Sequence, residues 1–507
     1  MRCSGILMPV SSLSSPYGIG TLGAAAREFV DFLAAGGQTY WQLLPICPTS
    51  YGDSPYQSFS AYGGNPYFID LDDLAAEGLL KPEEYQDVDW GGDPQSVDYG
   101  LMYAARYPVL KKAADRLLAA PPAAYGEFCA ASPWLEDYAL FMALKDQNGG
   151  ASWFTWDGDI RLRRPAALAA ARKELADEVE FWKAVQFLFY RQWNALKAFA
   201  NGKGVRIIGD LPIYVSGDSA DVWANPDQFQ LDENGIPTEV AGCPPDGFSA
   251  DGQLWGNPLF DWERMKEDGY AWWLRRIAFQ LSVYDVLRID HFRGFDAYYA
   301  IPYGDTTARN GRWRPGPGLD FFKVVNARLG RQSIIAEDLG FLTDSVRKLL
   351  KATGYPGMKV LEFAFDSRDS GSDYLPHCYP AHCVAYTGTH DNDTIQGWMA
   401  SAPKKDVSFA KAYLRLTARE GYHWGMMRGA WASPADLTVM QAQDLLGLGS
   451  EARMNIPSTL GNNWKWRALP GVFTPQLARR LRREMKVYQR LPRQKAPAKK
   501  NASVKKR

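Results

Sequence analysis

The chain has 507 residues, 46% of them hydrophobic and 22% charged, and its 57 basic and 57 acidic residues cancel to a formal net charge of zero. A chain of this size buries at least one large core, and its charge balance leaves no footprint for nucleic acid or an anionic membrane surface. No apolar run approaches 18 residues and the start, MRCSGILMPV, is too short and poorly flanked for a signal peptide, so the expectation is a cytoplasmic enzyme.

Short apolar or β-branched runs that end in polar, Gly or Pro residues recur along the chain. They fall at 5–10, 39–45, 205–209, 285–289, 333–336, 358–365, 384–387 and 453–457, and each is a candidate buried parallel strand. Helical periodicity lies between several of them. The clearest stretch, 173–200, places Val179, Trp182, Leu188, Trp193 and Leu196 close to one stripe and then meets Gly202 and Gly204. Strand and helix in alternation predict an α/β fold, and eight strands predict a closed (β/α)8 TIM barrel. The interval 66–200 holds too much helix for one crossover and reads as a mainly helical insertion, while the Gly/Pro-punctuated stretch 242–258 reads as a loop over the barrel mouth. Residues 1–490 are thus one catalytic barrel with insertions. From Leu491 the composition changes: Arg493, Lys495, Lys499, Lys500, Lys505, Lys506 and Arg507 stand without an acid, which leaves 50 basic against 57 acidic residues elsewhere. That basic stretch is expected to be a disordered tail.

Six cysteines (Cys3, Cys47, Cys129, Cys243, Cys378 and Cys383) are scattered without paired spacing, which suggests reduced thiols and not a disulfide framework. His377–Cys378 and His382–Cys383 raise the thought of zinc but lack the spacing of a structural site, and no metal or other cofactor is expected. The aromatic content is the anomaly: 18 Trp, 26 Tyr and 24 Phe make up 13% of the chain. Trp and Tyr in loops suit a carbohydrate-binding surface, because sugar C–H faces stack on rings while hydroxyls take hydrogen bonds.

Four of the strand runs finish on acid, at Asp210, Asp290, Glu337 and the His390–Asp391 pair. Any one of them could be a helix N-cap or turn residue. Together they point elsewhere, since in a barrel all strand C-termini open onto the face that holds the chemistry. Converging carboxylates suit glycoside cleavage, in which one attacks the anomeric carbon and another, protonated, donates to the leaving oxygen. Arg288 lies two residues before Asp290 on the same strand face, so its guanidinium favours an ionised, nucleophilic Asp290. Glu337 follows apolar residues with no adjacent cation, which suits the protonated acid.

These groups, in this order, resemble the four short regions of the α-amylase superfamily. The stretch YGDSPYQSFS at 51–60 and the stretch PPDGFS at 244–249, continuing to QLWGNP at 253–258, are similar to the amylomaltase (4-α-glucanotransferase) family, glycoside hydrolase family 77, over about residues 6–467. The resemblance implies Asp290 as nucleophile, Glu337 as acid and then base, and Asp391 as third carboxylate. It further implies that His390 and Arg288 bind sugar or orient the nucleophile, that Asp210 supports them, and that Ser54, Tyr56, Asp246, Phe248, Gln253, Trp255 and Phe363 form sugar subsites. Tyr51 and Tyr99 stand where the family can carry a second glucan groove. The implied substrates are α-1,4-glucans and maltooligosaccharides with glucose as an acceptor, handled by a monomer or weak homodimer with no nucleic acid or membrane partner. An α-glucan hydrolase is the alternative within enzymes, and a non-catalytic glucan-binding barrel the alternative outside them. The sequence departs from the family at Ser458, where a Gly is expected, and the resemblance is to the compact form, for which no carbohydrate-binding domain is expected before residue 6.

Overall fold

The computed structural model describes residues 2–492 apart from 51, 246–249, 341 and 368–371. Twelve strands occur among these residues, in chain order β1 (Cys3–Leu7), β2 (Tyr40–Gln42), β3 (Arg206–Leu211), β4 (Glu239–Cys243), β5 (Gln253–Pro258), β6 (Val286–Ile289), β7 (Ala297–Pro302), β8 (Arg312–Pro315), β9 (Ile334–Ala336), β10 (Gly357–Val360), β11 (Cys383–Tyr386) and β12 (Leu437–Gln441). Eight form one parallel sheet in the order β10-β11-β12-β1-β2-β3-β6-β9. Its two edges approach each other, where the Ala336 amide donates to the Pro356 carbonyl at 3.0 Å, and helices surround it as in a (β/α)8 barrel. β1, β6, β9, β11 and β12 are buried at every position, as strands covered on both faces must be.

The expected eighth strand at 453–457 is a correction. Those residues form no strand, and Ile456 is 47% exposed. The eighth strand is β12, whose Leu-Thr-Val-Met-Gln sequence pairs with β1 on one side and β11 on the other. The run 358–365 is only half strand: β10 ends at Val360 and a tight turn, Leu361–Phe365, follows.

Between β2 and β3 the chain is largely helical, with Tyr99–Ala119, Leu135–Gln147, Pro165–Glu174 and the long Ala176–Gly202 as the main pieces. Ala176–Gly202 buries Val179, Trp182, Leu188, Trp193 and Leu196, the stripe anticipated from its periodicity. The stretch 242–258 is not a simple loop. It is built on the antiparallel hairpin of β4 and β5, which joins β7 and β8 in a second sheet of order β5-β4-β7-β8. A hairpin pinned in a sheet holds its side chains more firmly than a free loop.

Candidate active site

Three neighbouring strands build the core of the site. Asp210 on β3 lies opposite Arg288 on β6, and Arg288 opposite Ile335 on β9. Just past the strand ends the ladder continues: the Asp290 amide donates to the Leu211 carbonyl and the Glu337 amide to the Ile289 carbonyl, both at 3.0 Å. Asp210, Asp290 and Glu337 are therefore brought around one guanidinium by register alone. Arg288 Nη1 donates to both Asp210 oxygens at 2.6 Å and to Asp290 Oδ1 at 3.1 Å, and Nη2 donates to Glu337 Oε2 at 3.0 Å. The Arg288 side chain is 3% exposed and that of Asp210 fully buried. A charge buried so deeply persists only when its donors are used, and these are.

The structure corrects the expected electrostatics of this group. Arg288 reaches Glu337 as well as Asp290, so Glu337 does have a neighbouring cation. Burial pushes the Asp290 carboxyl well above the usual range, the charge on Glu337 pushes it further, and Arg288 only partly opposes them. Burial raises Glu337 too, but Arg288, a hydrogen bond from Asp290 and the His291 amide outweigh it and hold Glu337 below its ordinary value. The two carboxyls are in contact around one cation, so they titrate as a pair and share one proton between them. His291 contributes through an unusual backbone. Its φ of 49° is left-handed, uncommon for a residue other than Gly, and its amide donates to Glu337 Oε2 at 2.8 Å. Burial pushes its imidazole down to about 4, so the ring is neutral, and it sits edge-on to Trp255 with centroids 4.8 Å apart.

Loops complete the site. Tyr56 donates its hydroxyl to Asp210 Oδ2 at 2.8 Å and stacks on His390 at 4.9 Å. His390 Nε2 lies 3.4 Å from Asp391 Oδ1, and the Asp391 side chain is half exposed. Ser54 turns the first loop, its hydroxyl accepting the Tyr56 amide at 3.2 Å. Gln253 Oε1 accepts the Trp255 indole N–H at 3.0 Å, and Gln57 Nε2 donates to the Trp255 carbonyl, which ties the hairpin to the Tyr56 loop. Phe363, 37% exposed, stands in the turn after β10 with its ring edge-on to Tyr374. Asp246 and Phe248 lie outside the described residues, as does Tyr51. Tyr99 is buried and donates to the Trp464 carbonyl at 2.9 Å, so its ring packs in the core and is not displayed in an outer groove.

Two residues that no sequence pattern singled out hold Asp391. Asn455 Nδ2 donates to Asp391 Oδ1 and Arg453 Nη2 to the Asp391 carbonyl, both at 2.6 Å. They belong to the stretch expected as a strand, and their signal was the polar residues interrupting that run. Ser458 nearby has φ 63°, the left-handed region where Gly sits without strain, so the departure from the family keeps the turn and strains it. Among the described residues no group of three His, Cys, Asp or Glu is arranged to hold a metal ion. His377 instead meets the Tyr413 hydroxyl at 2.7 Å, and Cys383 donates to the Pro380 carbonyl. No helix of the described residues is long and apolar enough to cross a membrane.

Known proteins resemble this chain in sequence and in overall fold. A family model described as 4-alpha-glucanotransferase, Glyco_hydro_77, matches residues 8–471. The 4-alpha-glucanotransferase of Clostridium butyricum is 48% identical over 95% of this chain and all of the relative. That of Thermus thermophilus is also 48% identical, over 97% of this chain and 99% of the relative. Among solved structures, an amylomaltase from Streptococcus agalactiae in complex with acarbose superposes with a TM-score of 0.95 at 41% identity, covering 97% of this chain and all of the other.

Proposed function

Since the chain belongs to the 4-alpha-glucanotransferase family, glycoside hydrolase family 77, we propose that Asp290, Glu337 and Asp391 carry out the transfer in the roles that follow. The enzyme moves a segment of a (1→4)-α-D-glucan to the 4-hydroxyl of an acceptor by a retaining double displacement. Asp290 attacks the anomeric carbon and forms a covalent glycosyl–enzyme. Glu337 gives its proton to the departing glucan oxygen and later takes one from the incoming 4-hydroxyl. The observation that carries this reading is Arg288, which holds Asp210, Asp290 and Glu337 within hydrogen-bond reach at the ends of three adjacent strands.

The first step needs the shared proton on Glu337, and bound sugar favours that arrangement. Positive charge developing at the anomeric carbon favours ionised Asp290, and the leaving oxygen takes the shared proton through Glu337. Asp391 and His390 hold sugar hydroxyls beside the reacting carbon. Transfer wins over hydrolysis where water is excluded and an acceptor is held in place. Trp255 and Gln253 on the hairpin, with Tyr56 and Ser54 opposite, supply that cover. Donors and acceptors are α-1,4-glucans and maltooligosaccharides, with glucose the smallest acceptor. A cytoplasmic setting suits the free thiols of Cys3, Cys47, Cys129, Cys378 and Cys383.

Product analysis on maltotriose tests the activity. Glucose together with oligomers longer than the substrate is the expected outcome. Shorter sugars alone would identify a hydrolase.

A further inference from the structure

His390 and Asp391 ride on the loop 388–394, between β11 and the helix Ile395–Ser401. Its tip is held by Asn455, Arg453 and the Tyr56 ring. Its base is held by a residue with no part in the chemistry described above. Asp444, 1% exposed, sits in the helix Ala442–Leu446 that follows β12. Its Oδ2 accepts the Thr387 hydroxyl at 2.6 Å, where the loop leaves β11, and its Oδ1 accepts the Ile395 amide at 2.7 Å, where the loop enters its helix. One carboxyl group therefore spans both ends of the loop. The loop also fits tightly over this spot, since a Cβ on Gly388 would lie 2.8 Å from Gln441 Nε2 and 3.3 Å from Glu362 Oε1.

We propose that Asp444 is a positioning residue for the His390–Asp391 pair, acting by fixing the two ends of the loop that carries them. The physical case is economy of constraint. A short loop with both termini tied to one buried, rigid group has few ways to displace its tip, and a displacement near 1 Å at a reacting centre can lower a rate about 10²-fold. A neutral hydrogen-bonding group of the same shape can do the same work. An Asn at this position can accept from the Ile395 amide through its carbonyl and donate to the Thr387 hydroxyl through its NH2.

The neighbourhood explains why such a neutral form suits the site. Glu362 faces Asp444 from the turn after β10 and Asp393 faces it from the loop itself, while Arg453 acts on Glu362. Glu362 is 6% exposed, and its Oε1 has no hydrogen-bond partner. Burial pushes Asp444 up to about 7, with the Ile395 amide and Thr387 hydroxyl opposing and Asp393 adding. The protonated carboxyl keeps both contacts by donating to Thr387 and accepting from Ile395.

The test compares maltotriose disproportionation by the wild type, Asp444→Ala, Asp444→Asn and Thr387→Val, each corrected for the folded fraction measured by thermal denaturation. The expected results are a kcat at least tenfold lower for Asp444→Ala with KM within threefold, recovery of most of that loss by Asp444→Asn, and an intermediate kcat for Thr387→Val. A kcat per folded Asp444→Ala molecule within threefold of the wild type overturns the proposal, as does an Asn variant no better than the Ala variant. Where Asp444→Ala does not fold, Thr387→Val decides: an unchanged kcat overturns the proposal and a reduced one at constant KM supports it.

Discussion

The two halves of the site are held by different means. On one side Asp210, Arg288, Asp290 and Glu337 stand at the ends of β3, β6 and β9, where strand register sets their spacing and burial locks their rotamers. On the other, His390, Asp391, Tyr56 and Trp255 sit on loops and a hairpin and keep their places through individual hydrogen bonds and ring contacts. The first half is part of the fold, so disturbing it removes chemistry and stability together. The second half can be loosened one bond at a time.

Substitutions sharpen that contrast. The largest effect is expected in the strand half. Asp290→Ala should lower kcat by on the order of 10⁴ or more while glucan binding remains measurable, and retained turnover would remove Asp290 as nucleophile. Arg288→Lys keeps a charge but loses the fork that serves three carboxylates at once. The expected loss in kcat is about 10²- to 10³-fold, accompanied by a lower Tm. In the loop half, Asn455→Ala removes one charged hydrogen bond to Asp391. The expectation is a loss of about tenfold in kcat/KM, with Tm nearly unchanged. A Tm drop as large as that of Arg288→Lys would erase the distinction between the halves.

A fourth prediction concerns pH. Asp221, buried beneath the Tyr56 loop, accepts the Ala61 amide at 2.7 Å, and burial pushes its carboxyl up to about 6 against that hydrogen bond. Its folded value lies above its unfolded one, so its contribution to stability is fullest below about pH 4 and is lost as pH rises through about 6. Asp221→Asn should remove a pH-dependent loss on the order of 3 kcal/mol, seen as a flatter unfolding free energy between those limits. The smallest effect is expected at Ser458→Gly. Relief of a left-handed Ser is worth about 1 kcal/mol, and the added freedom of Gly in the unfolded chain offsets most of it, so chemical denaturation should move by roughly 0.5 kcal/mol or less.

The sequence was most informative where charge broke an apolar pattern. Acids at the ends of buried runs, at Asp210, Asp290 and Glu337, are unexpected in a core, and the barrel brings such ends to one face. Cross-strand reach was not legible. That Arg288 extends to Glu337 depends on how β6 and β9 align, and this gives Glu337 a cation that its sequence neighbours do not show. β12 escaped notice because its apolar run is broken by Thr438 and passes straight into the helix Ala442–Leu446, so no turn residue marks where the strand ends. The stretch 453–457 alternated like a strand, yet its polar residues serve Asp391, and hydrogen bonds between distant segments leave no periodic trace. The hairpin of β4 and β5 was hidden by Gly and Pro residues that read equally well as loop.

The most direct test of the assignment is to trap the intermediate. In a Glu337→Gln variant, an α-maltotriosyl fluoride donor needs no acid to depart, while the missing base slows the second step, so the glycosyl–enzyme accumulates. Mass spectrometry of the digested protein should find the maltotriosyl group on the peptide at Asp290. An adduct at Asp391 or Asp210, or fluoride release with no adduct on Asp290 under conditions where the intermediate must build up, would contradict the account.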